Sequence, residues 1–213
     1  MNAISTQFLS VPFFILPSNT YVMNFVWVVG PPAVGKMTVA MKLCEKTGYK
    51  MLHNHGSIEL VIPIFDFGSP KFNILNNEFR RRIFEEVATS DLSGFVFTYA
   101  SAFDLEEERI YMEKITNIFK AQGHTIYFVE LYAPQSIRLE RNTTSLRLDA
   151  KPSKRDTNWS DESLIEMDKK YPHMNSSNEF PFFFPENHLK INNSDLSPEE
   201  VAEQVIKEFN LIK

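Results

Sequence analysis

Apolar and polar residues come in alternating blocks along this chain of 213 residues. Phe25-Val26-Trp27-Val28-Val29 is an unbroken apolar run of strand length, which predicts a strand covered on both faces. From Lys36 to Thr47 apolar positions recur at helical spacing, at Val39, Ala40, Leu43 and Cys44, and Gly48 supplies a stop. The same alternation continues downstream. Residues 49–53 read as a second strand, 58–65 as a helix, and Asp66-Phe67-Gly68-Ser69-Pro70 as a break. An amphipathic helix over 76–90 carries Arg80, Arg81 and Arg82, and 94–100 is a third strand. A charged helix over 105–122, stopped by Gly123, leads to a fourth strand at 125–132 and a helix at 134–141. A helix over 160–171, an irregular stretch at 175–186 and a last strand at 188–192 follow. Ser197-Pro198-Glu199-Glu200 opens a final helix, with serine at the N-cap and proline in the first helical position. There is no internal repeat. Strands alternating with helices predict an α/β fold whose parallel sheet is covered on both faces.

The link between the first strand and the first helix carries the chemistry. It reads Gly30-Pro31-Pro32-Ala33-Val34-Gly35-Lys36-Met37-Thr38, the Walker A spacing except at its penultimate position. A polyphosphate needs several backbone N–H groups converging on it, and the glycines let the chain curl that tightly. The helix that begins at Lys36 adds its unsatisfied N–H groups and the positive end of its dipole. Lys36 would reach the β and γ phosphates. All nine residues are therefore candidate nucleotide contacts, with Lys36 catalytic. A chance glycine-rich turn is the competing reading, and the flanking strand and helix argue against it. Met37 stands where a Mg²⁺-ligating hydroxyl is usual, and a thioether is a poor ligand for a hard cation. Magnesium would then rest on phosphate oxygens, water and Thr38.

Residues 142–158 change character, being polar, basic and short of core residues. Arg138, Arg141, Arg147, Lys151, Lys154 and Arg155 place six positive charges in eighteen residues. Such a run is often a solvated loop; beside a Walker loop it is a candidate lid closing over the transferred phosphoryl. Arg141 and Arg147 are the preferred catalytic contacts, with Arg155 third.

Composition narrows the partners. The net charge of −5 argues against nucleic acid as the main one, and hydrophobic and charged shares of 43% and 23% are those of an ordinary globular protein. Phenylalanine is the exception, with 19 copies. Phe8 to Leu16 is too short for a membrane span and is broken by Pro12. Residues 1–22 read as an extension, or as an edge-strand or dimer-forming arm, before a single domain at 23–213. The single cysteine, Cys44, falls on an apolar helix face and fits a packing role in a reducing, cytoplasmic setting. Oligomeric state is left open.

With these residues in view the chain resembles the nucleoside-monophosphate-kinase and shikimate-kinase group of P-loop proteins. The resemblance rests on the Gly30–Thr38 loop, the arginines at 80–82, the basic segment after Arg138 and Arg141, and the closing Asn192-Asn193-Ser194-Asp195-Leu196 before the last helix. The Gly35-Lys36-Met37-Thr38 order resembles the Gly-Lys-Gly-Thr of adenylate kinases, which also lack a hydroxyl directly after the lysine. It implies a three-layer sandwich around a five-stranded parallel sheet in order 2-3-1-4-5, a mobile lid, and phosphoryl transfer from Mg-ATP to a small acceptor. Shikimate kinases carry Asp-x-Asp after the second strand; here the residues are His53-Asn54-His55, which speaks against shikimate as acceptor. Those histidines are candidates for substrate contact or a general base, against a local structural role. A metal site there would need further ligands. Arg80 and Arg81 are candidates for an anionic acceptor. No acidic residue ends the third strand at 97–101, and Asp104 reads as a helix cap in preference to a magnesium-water ligand. Asp66-Phe67-Gly68 lacks the other protein-kinase motifs. Phe180, Phe182, Phe183 and Phe184 read as buried under a loop, with base stacking or dimerisation as alternatives. The functional reading is a small-molecule kinase; the alternative is a nucleotide-binding regulatory protein or an ATPase without an acceptor.

Overall fold

The computed structural model describes residues 22–143 and 157–211. Most of the expected arm at 1–22 and lid at 142–158, with Arg147, Lys151, Lys154 and Arg155, lies outside the described residues. Along the described chain run β1 (Asn24–Val29), α1 (Lys36–Thr47), β2 (Lys50–His53), α2 (Asn54–Val61), α3 (Pro70–Ala88) and β3 (Gly94–Tyr99). Then come α4 (Glu106–Lys120), β4 (Thr125–Tyr132), α5 (Gln135–Asn142), α6 (Thr157–Lys170), β5 (His188–Asn192) and α7 (Pro198–Phe209).

β1 is the middle strand, hydrogen-bonded in parallel to β3 on one side and β4 on the other. The sheet is five-stranded and parallel, in the order β2-β3-β1-β4-β5. Alternation along β1 divides the core in two. Val26 and Val28 face an aliphatic layer with Val39, Leu43, Val201 and Val205 under α1 and α7. Phe25, Trp27 and Val29 face an aromatic layer with Phe84, Phe97, Phe119 and Phe128 under α3 and α4. Phe25 stacks on Phe119 with ring centroids 3.9 Å apart, and the Trp27 indole N–H donates to Thr116 Oγ1 at 3.2 Å. The Phe180–Phe184 cluster extends this layer: Phe182 is buried and Phe184 stacks flat on Phe128 at 4.9 Å. Burial accounts for that cluster.

Several boundaries differ from the sequence expectation. α3 begins at Pro70, not near 76, because Ser69 caps it by accepting from the Phe72 N–H at 3.3 Å. Ser69-Pro70 is thus a helix start of the kind expected only for α7, where Ser197 and Glu200 form a reciprocal capping box. α2 begins directly after β2, at Asn54. Asp104 does not cap α4; the N-cap position is Leu105, which makes no side-chain cap bond. Cys44 packs against the aliphatic core, and burial pushes its thiol up to about 11. No described helix is long and apolar enough to cross a membrane.

All strands point the same way, so the loops leaving Val29, His53, Tyr99, Tyr132 and Asn192 gather at one end of the sheet. In open α/β sheets this is where ligands bind. Glu130, on β4 near that end, is fully buried. Burial opposes its charge, but the His188 ring at 2.9 Å, the Ser176 hydroxyl and N–H and the Asn175 amide outweigh it, holding its pKa down at about 2. These contacts tie the stretch after α6 to the sheet. A carboxylate with a lowered folded pKa stabilises the fold above its unfolded value and loses that contribution as pH falls through its folded value. Glu130→Gln should therefore cost about 2–4 kcal/mol in urea unfolding at neutral pH. The gap between variant and parent should narrow as pH drops from about 4.5 toward 2.

Candidate active site

The loop after β1 turns as tightly as its glycines permit. Gly30 has φ 137° and Gly35 φ 104°, and a Cβ on Gly30 would sit 2.4 Å from the Leu131 carbonyl oxygen of β4. Ala33 is left-handed at φ 60°, a conformation that costs an L-residue about 1–2 kcal/mol. That strain is kept where the loop must curl. Lys36 folds back so that its ammonium donates to the carbonyls of Gly30 at 2.5 Å and Pro31 at 2.7 Å. Thr38 Oγ1 donates to Gly35 O at 2.8 Å. Serines cap α3 and α7, whereas α1 has no side-chain cap and no acidic residue in its first turn. Its N-terminal amides therefore have no side-chain cap, and the positive end of the helix dipole lies behind them, an arrangement suited to an anion.

That loop forms one wall of a cavity of about 450 Å³, lined there by Pro32, Ala33, Gly35, Lys36, Met37 and Thr38. Gly30, Pro31 and Val34 shape the loop from behind without lining the cavity. A second side is held by Arg141 of α5 and Asn193 after β5. Arg141 donates to the carbonyls of Val34, Asn193 and Ser194 at 3.2, 2.7 and 3.0 Å, and the Asn193 amide donates to Val34 O at 2.8 Å. Two side chains thus clamp one carbonyl of the loop. Burial lowers the Arg141 pKa. Asn193 was not singled out from the sequence; its place just after the last strand, in a run of polar residues, was the available signal. Arg138, counted with the basic segment, is structural here. It is buried and forks onto Asp168 of α6 at 3.0 and 2.5 Å, and it also donates to Pro32 O.

The opposite wall comes from the end of β2, from α2, Phe67 and α6. His53, Asn54, His55, Ile58, Ile62 and Phe67 line it, with Trp159, Ser163, Leu164 and Met167 of α6. The Asn54 N–H donates to Thr98 Oγ1 at 3.1 Å, joining the start of α2 to β3. His55 Nδ1 lies 3.3 Å from Glu59 Oε1, one turn along α2. The two histidines therefore line the cavity. The two arginines do not. Arg80 is buried beneath α2, donating to Ser57 Oγ at 2.7 Å and to the Asn54 carbonyl and side-chain oxygens at 2.9 and 2.6 Å, with Phe97 beneath its guanidinium. It lies in the stripe Asn76, Arg80, Phe84, Ala88 that α3 buries. Arg81, 100° round the helix, is exposed and bridges Glu78 and Glu85. Neither lines the cavity.

No carboxylate is among the described residues lining the cavity, and no cluster of three metal-ligating side chains occurs among the described residues. Thr38 is the hard-oxygen side chain beside Lys36 that faces it. The donor set fits a magnesium ion carried largely by phosphate oxygens and water, with Thr38 as a contact.

No protein-family model matches the sequence, and no curated protein matches it significantly. Solved structures do match the fold. Shikimate kinase from Acinetobacter baumannii, in complex with shikimate, is 15% identical with a TM-score of 0.51, covering 90% of this chain and 94% of its own. A sugar kinase from Janibacter sp. HTCC2649 is 13% identical with a TM-score of 0.54, covering 89% and 95%. A gluconokinase from Sinorhizobium meliloti 1021 is 13% identical with a TM-score of 0.50, covering 90% and 93%. This chain has the fold of the P-loop kinase group. The strand order, the helices on both faces and the strand-loop-helix at Gly30–Thr38 are those the sequence led us to expect.

Gly30 in the loop and Gly48 at the far end of α1 separate two penalties. Both have positive φ, but around Gly48 a Cβ would meet nothing within 4 Å. Gly48→Ala should cost about 1–2 kcal/mol for conformation alone. Gly30→Ala should cost at least about 2 kcal/mol more, since loop or β4 must move. Urea titration of the pair measures the difference.

Proposed function

We propose that this protein binds Mg-ATP in the Gly30–Thr38 loop and transfers its γ-phosphoryl group to a small-molecule acceptor bearing a hydroxyl or phosphate. One observation carries the reading. A single cavity joins an uncapped glycine-loop helix terminus with Lys36 to a second wall of different chemistry, the layout required for two substrates meeting in line.

Each residue then has a task. The loop amides and the α1 terminus hold the phosphates. Lys36, now resting on the Gly30 and Pro31 carbonyls, exchanges them for phosphate oxygens and stabilises charge as it shifts. Arg141 holds the loop through Val34 and presents a second cation, with Arg147 proposed to join it. Thr38 would be the protein's contact to a magnesium ion, directly or through water. A bound magnesium ion would supply positive charge against the negative charge that develops in transfer. His53 and His55 face the acceptor. We place this activity in the cytoplasm, where the reduced Cys44 is at home.

The lack of a carboxylate among the described residues that line the cavity favours a second reading, a nucleotide-driven regulatory protein or ATPase that lacks an acceptor. ADP release separates the two. With Mg-ATP, a correct acceptor should stimulate release well above background, and Lys36→Ala should lower the stimulated kcat about 10²–10³-fold. ATP binding with acceptor-independent release across sugars, sugar acids, nucleosides and their monophosphates would replace the kinase reading with the second.

A further inference from the structure

Two carbonyls of the phosphate loop are gripped by side chains from outside it, and they flank its strained alanine. Val34 O accepts from Arg141 and Asn193. Pro32 O accepts from the Arg138 guanidinium at 3.2 Å. Between them Ala33 is left-handed at φ 60°. Arg138 is itself held fast. It is buried, its Nε donates to Ala133 O at 3.1 Å, and its two terminal nitrogens fork onto the Asp168 carboxylate at 3.0 and 2.5 Å. Gln135 steadies the same carboxylate, donating to Oδ2 at 2.7 Å. A buried ion pair is costly to desolvate, and two apolar side chains would join α5 to α6 as well. What an apolar pair could not do is hold the Pro32 carbonyl.

The direction of that carbonyl decides the direction of an amide. A trans peptide is planar, and its carbonyl and the N–H that follows point opposite ways. No peptide of the described chain is cis. With Pro32 O turned to Arg138, the Ala33 N–H points away from Arg138. With Val34 O turned to Arg141 and Asn193, the Gly35 N–H points away from that clamp. Ala33 and Gly35 both line the cavity. Resting on the Mg-ATP reading, we propose that Asp168 is a positioning residue of the phosphate site: through Arg138 it holds the Pro32 carbonyl outward and so aims the Ala33 N–H at a polyphosphate oxygen. Without the fork the Pro32–Ala33 peptide is free to rotate, and the strain at Ala33 favours rotation. A carbonyl oxygen would then face the anion where an N–H had stood.

Calorimetric titration of the full chain with Mg-ATP, magnesium tripolyphosphate and adenosine, beside a melting curve of each variant, tests the role. Asp168→Ala should weaken Mg-ATP and tripolyphosphate about 10-fold each, the worth of one amide–phosphate hydrogen bond, and leave adenosine unchanged. Asp168→Asn, whose amide oxygen still accepts from one guanidinium nitrogen, should lose only about 3-fold. Arg138→Lys, which cannot grip Asp168 and Pro32 together, should match Asp168→Ala, and it decides the question where Asp168→Ala does not fold. Glu166→Ala, at an exposed carboxylate on the same helix, should match the parent. Parent-like tripolyphosphate binding by folded Asp168→Ala or Arg138→Lys overturns the role, and so does an equal loss for adenosine. A parent that binds neither Mg-ATP nor tripolyphosphate removes the nucleotide reading and this inference with it.

Discussion

The functional end of this molecule depends on one close approach. Gly30 lies so near the Leu131 carbonyl that no side chain fits between the loop and β4. The loop is therefore pressed onto the end of the sheet, and its amides can converge only because the chain passes through left-handed conformations at Gly30, Ala33 and Gly35. The clamp on Val34 by Arg141 and Asn193 holds that curl from the far side. A loop strained at an alanine and pinned by the buried Asn193 and the half-buried Arg141 is a preorganised cradle, so little ordering remains to be done when an anion arrives.

Around that cradle the two layers of the core do different work. The aliphatic side, beneath α1 and α7, carries the loop and the Asn193 turn. The aromatic side, beneath α3 and α4, absorbs many of the phenylalanines, including the 180–184 stretch. Glu130 fastens the residues that flank that stretch, Ser176 before it and His188 after it, to β4. Arg138 and Asp168 fasten α6 to α5 and, through Pro32, to the loop itself. The wall carrying Trp159 is thus positioned by the same network that positions the phosphate cradle. The two walls of the cavity thus share one frame.

The arginines show how the tertiary setting reassigns residues that look functional. Arg80, Arg81 and Arg82 are consecutive, and on a helix consecutive residues face in different directions. α3 buries every fourth residue from Phe72 to Ala88, which takes Arg80 into the interior, and leaves Arg81 to its i−3 and i+4 glutamates. Asn54 and Ser57, which satisfy the buried guanidinium, lie more than twenty residues upstream. Helical spacing alone could not name them.

Local chemistry was enough for much of the fold. A run such as Phe25–Val29 can bury both faces only inside a parallel sheet, and the Gly30–Lys36 spacing admits few uses other than holding phosphate, so strand, loop and helix were legible as a unit. The capping signal at Ser197 was equally local; the same signal at Ser69 was passed over because a glycine and proline nearby read as a break. What only the tertiary structure decided is the character of the cavity wall opposite the loop. Whether His55 meets Glu59, whether an arginine faces cavity or core, and which apolar side chains remain uncovered all depend on how α2, α3 and α6 pack around the ends of the strands. Those contacts join residues far apart in sequence, and no local pattern encodes them.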